Sequence, residues 1–400
     1  MRTLIVIGLL AGAITAGFAI TSGFAIAAGA EQLSVAQLKE KLGARLKREA
    51  SGGPSETEDP LKGLDSDTSM LREAKEDSEL ANQLFDAELT ERLTPASFNR
   101  IVSKYEPGLD TMRALAFLRD RSEVLDPPPA EWPSLAAPDA ETQKNTLELA
   151  RKYVLLTLLR LPNFLATRTT TRMVSDPGTW DPLGLPNREG LYLAGSNTVE
   201  ISFQDGKEFL ARADSEEQKK KSADEGLVSQ GEFGAEAAIV LGDLADSSNG
   251  TVAFHHWETT AAGAAAVYRY TVAAAKSHYQ VNYICNAKTP FHVFPGYHGS
   301  ISISPATGAI LRMTLVADSK PGDPISSVTS VIEYGPVKIG ERGYICPLWS
   351  VTQMAVEANA CERHRSAQRL ARPEKMLNRT SFSNYHRFGS TVTVMPEGKD

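Results

Sequence analysis

Hydrophobic positions in this chain follow two periods in succession. Up to about residue 160 they recur every three or four residues, and beyond Phe164 they alternate with polar ones, which are the marks of amphipathic helix and half-buried strand. Near the start, Ser34 and Gln37 make a capping box ahead of Leu38, Leu42 and Leu46 at helical spacing. Helical pattern resumes over residues 78–93, 94–105 and 109–124, where Ala114, Leu115 and Leu118 share a face. The apolar faces are narrow, so these helices need one another or a neighbouring domain for burial. Residues 50–68, rich in Gly, Pro, Ser and acids, read as a mobile loop.

Pro127, Pro128, Pro129, Pro133 and Pro138 predict an extended linker over 126–139 and set the domain boundary there. Asp139 can then cap a long helix whose stripe is Leu147, Ala150, Val154 and Leu158, ended by Pro162. Past that point Val199, Ile201 and Phe203 alternate with Glu200, Ser202 and Gln204, and Asp205-Gly206 turns the chain into a partner strand. Further alternating runs cover 251–258, 264–272, 277–284, 300–304, 309–317, 325–334, 337–339, 344–354 and 381–395, with turns at 304–308 and 340–343. This many strands at short spacing predict an antiparallel meander that must curl, close or stack to protect its apolar face. One amphipathic helix interrupts them, with Phe233, Ala237, Val240, Leu241 and Leu244 on one side, able to lodge in the concave face.

The fold class expected is therefore α+β: a helical N-terminal region (31–125), the Pro-rich linker (126–139), and a large, strongly curved antiparallel sheet, a half-barrel with an inserted amphipathic helix (140–395). Residues 1–30 stand apart from it. A basic start, an apolar run from Leu4 to Ala28 and the A-x-A site Ala28-Gly29-Ala30 read as a secretory signal peptide, which places the protein in the periplasm or outside the cell. The run is also long enough to be a retained anchor, although its Ala, Gly, Ser and Thr content and the cleavage site favour removal. No later stretch approaches membrane-spanning length without charge, so no transmembrane segment is expected after cleavage.

With 42% hydrophobic and 23% charged residues the composition is that of a folded protein. A formal net charge of −7 argues against nucleic acid as a partner. Cys285, Cys346 and Cys361 suit one disulfide and one spare thiol in an oxidising compartment. Cys346–Cys361 is favoured over Cys285–Cys346 only because it is nearer along the chain. No nucleophile elbow, zincin, Walker or dinucleotide motif occurs, so no catalytic residue, cofactor or metal site is assigned.

Two histidine clusters stand out against that background. On a regular strand His256 and Glu258 share a face while His255 lies opposite, so His255-His256-Trp257-Glu258 reads as an exposed mixed polar face. Phe291–His298, with His292 and His298 among aromatics, reads as a loop capping one end of the sheet. Tyr268 and Tyr270 share a strand face, as do Tyr279, Val281 and Tyr283. With both faces turned inward they would line an aromatic concavity beneath Phe233, Val240 and Leu244.

The order of elements carries a resemblance. A helix runs into Leu161-Pro-Asn-Phe164 and the strand Ala166–Arg172, and later come Tyr297-His-Gly-Ser-Ile-Ser-Ile-Ser-Pro-Ala-Thr-Gly-Ala-Ile-Leu-Arg312, Val331–Val337 and Ser383–Phe388. The chain resembles a group of exported bacterial proteins, and its C-terminal part is similar to the periplasmic lipoprotein carriers (the LolA-like fold). That resemblance implies a half-barrel holding acyl chains in an apolar cavity, so the partner expected is a lipid or lipidated peptide. The alternative is a cell-envelope structural or interaction module that docks an envelope protein through its helical region and binds no small molecule.

Overall fold

A computed structural model of the chain describes residues 31–51, 65–175, 191–204, 207–210, 235–285, 289–357 and 374–387. Residues 1–30, Phe233, Cys361 and the end of the last expected strand lie outside the described residues, as do the side chains of Tyr283 and Cys285. The protein is α+β, as expected. Among the described residues, no helix is long and apolar enough to cross a membrane.

The N-terminal region holds α1 (Val35–Ser51), α2 (Asp65–Asp86), α3 (Pro95–Tyr105) and α4 (Leu109–Ser122). Two short parallel strands, β1 (Gln32–Leu33) and β2 (Glu88–Leu89), tie it together. The capping box closes α1 from both sides: the Ser34 N–H donates to Gln37 Oε1 at 2.8 Å and the Gln37 N–H to Ser34 Oγ at 3.1 Å. Leu38, Leu42, Leu84, Leu93, Ile101, Leu115 and Leu118 meet in a core of their own. Helix α2 begins at Asp65, inside the stretch expected to be loop, because its helical residues carry few apolar side chains to signal them.

Among the described residues the main sheet has ten antiparallel strands. They are β3 (Phe164–Ser175), β4 (Leu191–Gln204), β5 (Lys207–Leu210), β6 (Gly250–Thr260), β7 (Gly263–Val272), β10 (Gly296–Ile303), β11 (Ile310–Asp318), β12 (Ile325–Ile339), β13 (Arg342–Val356) and β14 (Glu374–Arg387). A separate hairpin pairs β8 (Val281–Cys285) with β9 (Thr289–Val293). Among the described residues the order β5-β4-β3-β14-β13-β12-β11-β10-β7-β6 leaves β5 and β6 as edges, so the sheet is not closed.

Strand alternation sorts each strand's side chains onto two faces. On the first face Met313 and Leu315 (β11), Ile301 (β10), Ile332 (β12) and Tyr268 and Tyr270 (β7) form one core with α5 (Ala140–Arg160) and α6 (Ala235–Asp243). The Gly308 turn backs α5: a Cβ there would sit 2.5 Å from the Leu149 backbone, and φ is +74°. On the second face lies the helical region. Phe117 of α4 packs on Val351 and Leu377, and buried ion pairs flank it. Arg312 reaches Glu333 at 2.6 Å and Glu123 at 2.8 Å, and Arg379 reaches Asp120 at 2.5 Å. Both guanidiniums lie over the Trp349 ring, at 5.4 and 5.0 Å from its centre.

The Pro-rich segment is therefore no free spacer. Asp126 and Trp132 lie on the second face against β6, whereas Ala136 accepts a hydrogen bond from Trp257 Nε1 at 2.8 Å before α5 starts on the first face. The segment carries the chain round the edge strand β6 and covers it, one of the ways a sheet edge is kept from pairing with another chain.

Candidate functional site

The first face gathers most of the residues expected to line a ligand site. Val240 of α6 and Leu244, just past its end, pack with Tyr268 and Tyr270, and Tyr279 lies partly buried against the same cluster. Tyr297, which the sequence pattern had placed in a capping loop, completes the aromatic group: its ring centre lies 6.0 Å from that of Tyr270 and 5.7 Å from that of Tyr279. Tyr270 lies across β10 to donate to the Thr314 carbonyl of β11 at 2.7 Å, a path open because Gly299 sits beneath it. Burial raises the Tyr270 and Tyr279 hydroxyls well above the usual phenol range.

Helix α6 covers this cluster and is held at both ends by polar contacts. At its C-terminal end the buried Asp243 accepts from Tyr297 Oη at 2.7 Å and the His278 N–H at 3.0 Å, and it also pairs with the His278 ring. Arg151 of α5 donates to the Leu244 carbonyl at 2.6 Å. At the N-terminal end Glu236 accepts from Ser330 Oγ at 3.3 Å. Burial of Val240, Leu241 and Leu244 stabilises the covered state by about 1.5–3 kcal/mol each.

The second face carries a polar constellation at the edge. β6 and β7 pair regularly except at one point: Phe254 opposes Tyr268 and His256 opposes Val267, so His255 is an inserted bulge residue. The bulge turns His255 towards the same side as His256, contrary to the alternation expected for a regular strand. His255 Nε2 lies 3.2 Å from Asp126 Oδ2, which also pairs with Arg269. His256 is buried, not exposed. It stacks on Trp132 with ring centres 4.3 Å apart, and neither of its nitrogens has a hydrogen-bond partner. Glu258, the carboxylate on its face, is taken by Arg92.

Electrostatics follows from those contacts. Burial works against charge on Asp126, but the His255 hydrogen bond and the Arg269 guanidinium outweigh it and hold the carboxyl well below the usual range. Burial pushes His256 down to about 4, so the ring is neutral with free lone-pair capacity. One donor atom from each of Asp126, His255 and His256 lies within 4.8 Å of the others.

The other expected sites are dispersed. His292 is exposed and bonded to Asn282 at 2.6 Å, and His298 is bonded to Asp318 at 2.8 Å. Among the described residues Cys346 is a free, buried thiol; its two expected partners, Cys361 and the side chain of Cys285, lie outside them. Its strand turns it into the apolar cluster of Phe164, Phe203 and Phe382, and burial pushes it up to about 12. Compared with protein families, curated proteins and solved structures, the chain matches none.

Proposed function

We propose that the chain is an exported binding protein that accepts a lipid or lipidated peptide on the first face of the sheet, with α6 as its cover. The observation that carries this is the aromatic cluster of Tyr268, Tyr270, Tyr279 and Tyr297 closed by a nine-residue helix fixed at its ends by polar contacts. Released at Asp243, α6 uncovers an apolar surface of the kind that takes acyl chains. In this proposal the sheet curves round the helix as a half-barrel, in keeping with the resemblance to the periplasmic lipoprotein carriers. The alternative, an interaction module that docks through its helical region, is less well supported because α4 already gives Phe117, Asp120 and Glu123-side contacts to the sheet.

Native mass spectrometry of protein purified from its own envelope, paired with displacement of a fluorescent fatty acid, tests the proposal. A co-purifying apolar mass and saturable displacement are expected. The Tyr297→Phe/Asp243→Asn variant should exchange the fatty acid faster, because a loosened cover opens more often. A ligand-free mass together with no displacement would overturn the proposal.

A further inference from the structure

The bulge at His255 and the burial of His256 have no role in holding an apolar ligand, since they lie on the opposite face of the sheet. They also carry an energetic cost. A ring whose two nitrogens are both buried without partners has lost its hydration with nothing in return. Groups of this kind in native proteins call for a particular explanation, an ion among them. Trp132 cannot satisfy His256, because its own N–H donates to the Pro127 carbonyl at 3.0 Å. Nor can Glu258, which is held by Arg92.

We propose that Asp126, His255 and His256 form a three-ligand site for a divalent transition metal of the zinc class. Two imidazoles and one carboxylate are the donor set such ions prefer, whereas calcium and magnesium favour oxygen alone. Two local features bring the parts together. The Asp126 carbonyl accepts the Arg92 N–H at 2.7 Å, which pins Asp126 beside the edge strand, and the bulge brings the two neighbouring histidines to one side. His256 is walled in by Trp132, while Asp126 and His255 remain about a quarter exposed, leaving a direction from which a fourth, water ligand completes a tetrahedron. Arg269 is the competitor, since it holds Asp126 Oδ2, so metal capture draws Asp126 away from it. The bound ion would clamp the Pro-rich segment to β6 and so fasten the helical region to the sheet edge.

Zinc titration of the chelator-stripped mature chain against a competing chromophoric chelator tests this, with cobalt absorption reporting the geometry. One equivalent of zinc is expected, with a tetrahedral cobalt spectrum. His256→Phe, which keeps the stack on Trp132, and His255→Gln at the more exposed position should each weaken binding by ~100-fold or more. Arg269→Gln should tighten it by roughly 10-fold, within the usual scale for groups that modulate a metal ligand. Circular dichroism checks that each variant is folded. Absence of stoichiometric binding in the folded protein would overturn the proposal. So would binding unchanged in both histidine variants, or weakened in Arg269→Gln.

Discussion

Arg312→Met would remove the charge on which the contact between the helical region and the sheet depends. Arg312 is 4% exposed and makes three charge-assisted hydrogen bonds: to Glu333 Oε2 at 2.6 Å, to Glu123 Oε2 at 2.8 Å and to the Glu123 carbonyl at 2.6 Å. Methionine matches the stem in length and still fills space beside Trp349, so the loss is mainly electrostatic. Deleting one member of a buried pair costs about 3–5 kcal/mol, because the partner charge stays behind without compensation. Here two carboxylates stay behind, so the upper half of that range, roughly 4–5 kcal/mol, is expected. The pH dependence follows from Glu333, whose carboxyl burial raises even against the pull of Arg312. Without Arg312 it rises further. A carboxyl raised in the folded state disfavours folding at pH values above its folded pKa, where it must be charged, and that penalty is relieved as pH falls through the folded value. The variant's deficit should therefore be largest near pH 8 and shrink towards pH 5. Guanidinium unfolding followed by tryptophan fluorescence measures it. Arg312→Met/Glu123→Gln/Glu333→Gln should recover most of the loss, since replacing all the charges leaves no orphan. A single-variant cost below about 1 kcal/mol, or one that grows towards pH 5, would refute this account of the interface.

Two further outcomes follow from packing and burial. Gly299→Ala should destabilise the protein by roughly 2–4 kcal/mol in the same unfolding assay, because its Cβ would stand 2.0 Å from the Thr314 carbonyl oxygen and 2.8 Å from Tyr270 Oη. In a Cys285→Ser/Cys361→Ser background the Cys346 thiol, buried and pushed up to about 12, should resist Ellman's reagent at pH 8 and react fully once unfolded. Rapid reaction of the native protein would show that the cluster around Phe164 opens readily.

The elements were legible in the sequence wherever one apolar face was enough to mark them. Ile301 and Ile303 against serines, or Val199, Ile201 and Phe203 against polar neighbours, carry the strand period themselves, and the Ser34/Gln37 box carries its helix start. The union of the two regions was not legible. Arg312, Glu333 and Arg379 occupy polar positions on alternating strands and so look like a solvated face. Their burial depends on Glu123 and Asp120, which are far away along the chain and become neighbours only once α4 lies on the sheet. The course of the linker was hidden for a similar reason: its prolines suit an extended path, but composition does not say whether that path is free or pressed against an edge strand.

The histidine pair was hidden by something smaller, a single inserted residue. Alternation holds on both sides of His255 but changes phase across it, from Val252 and Phe254 to Trp257, and that one aromatic is all the trace the bulge leaves in the hydrophobic pattern. Yet it decides which side chains converge. Deleting His255 isolates its contribution. Phe254 and His256 already oppose the consecutive residues Tyr268 and Val267, so the shortened strand would run as a regular ladder with the same residues facing each side. Phe254 would stay in the aromatic core, and His256 would stay against Trp132. The loss is the half-exposed contact to Asp126, worth at most about 1 kcal/mol, and the edge contacts of the His255 ring with Trp132 and His256, offset in part by the ladder made regular. The deletion should therefore fold with a midpoint close to that of the parent and displace fluorescent fatty acid as the parent does, while losing zinc affinity. If it instead unfolds by more than about 2 kcal/mol, the bulge is a structural requirement of the β6–β7 pair. If it binds zinc as tightly as the parent, His255 is no ligand. A bulge that can be removed without loss of fold has to be explained by what it holds.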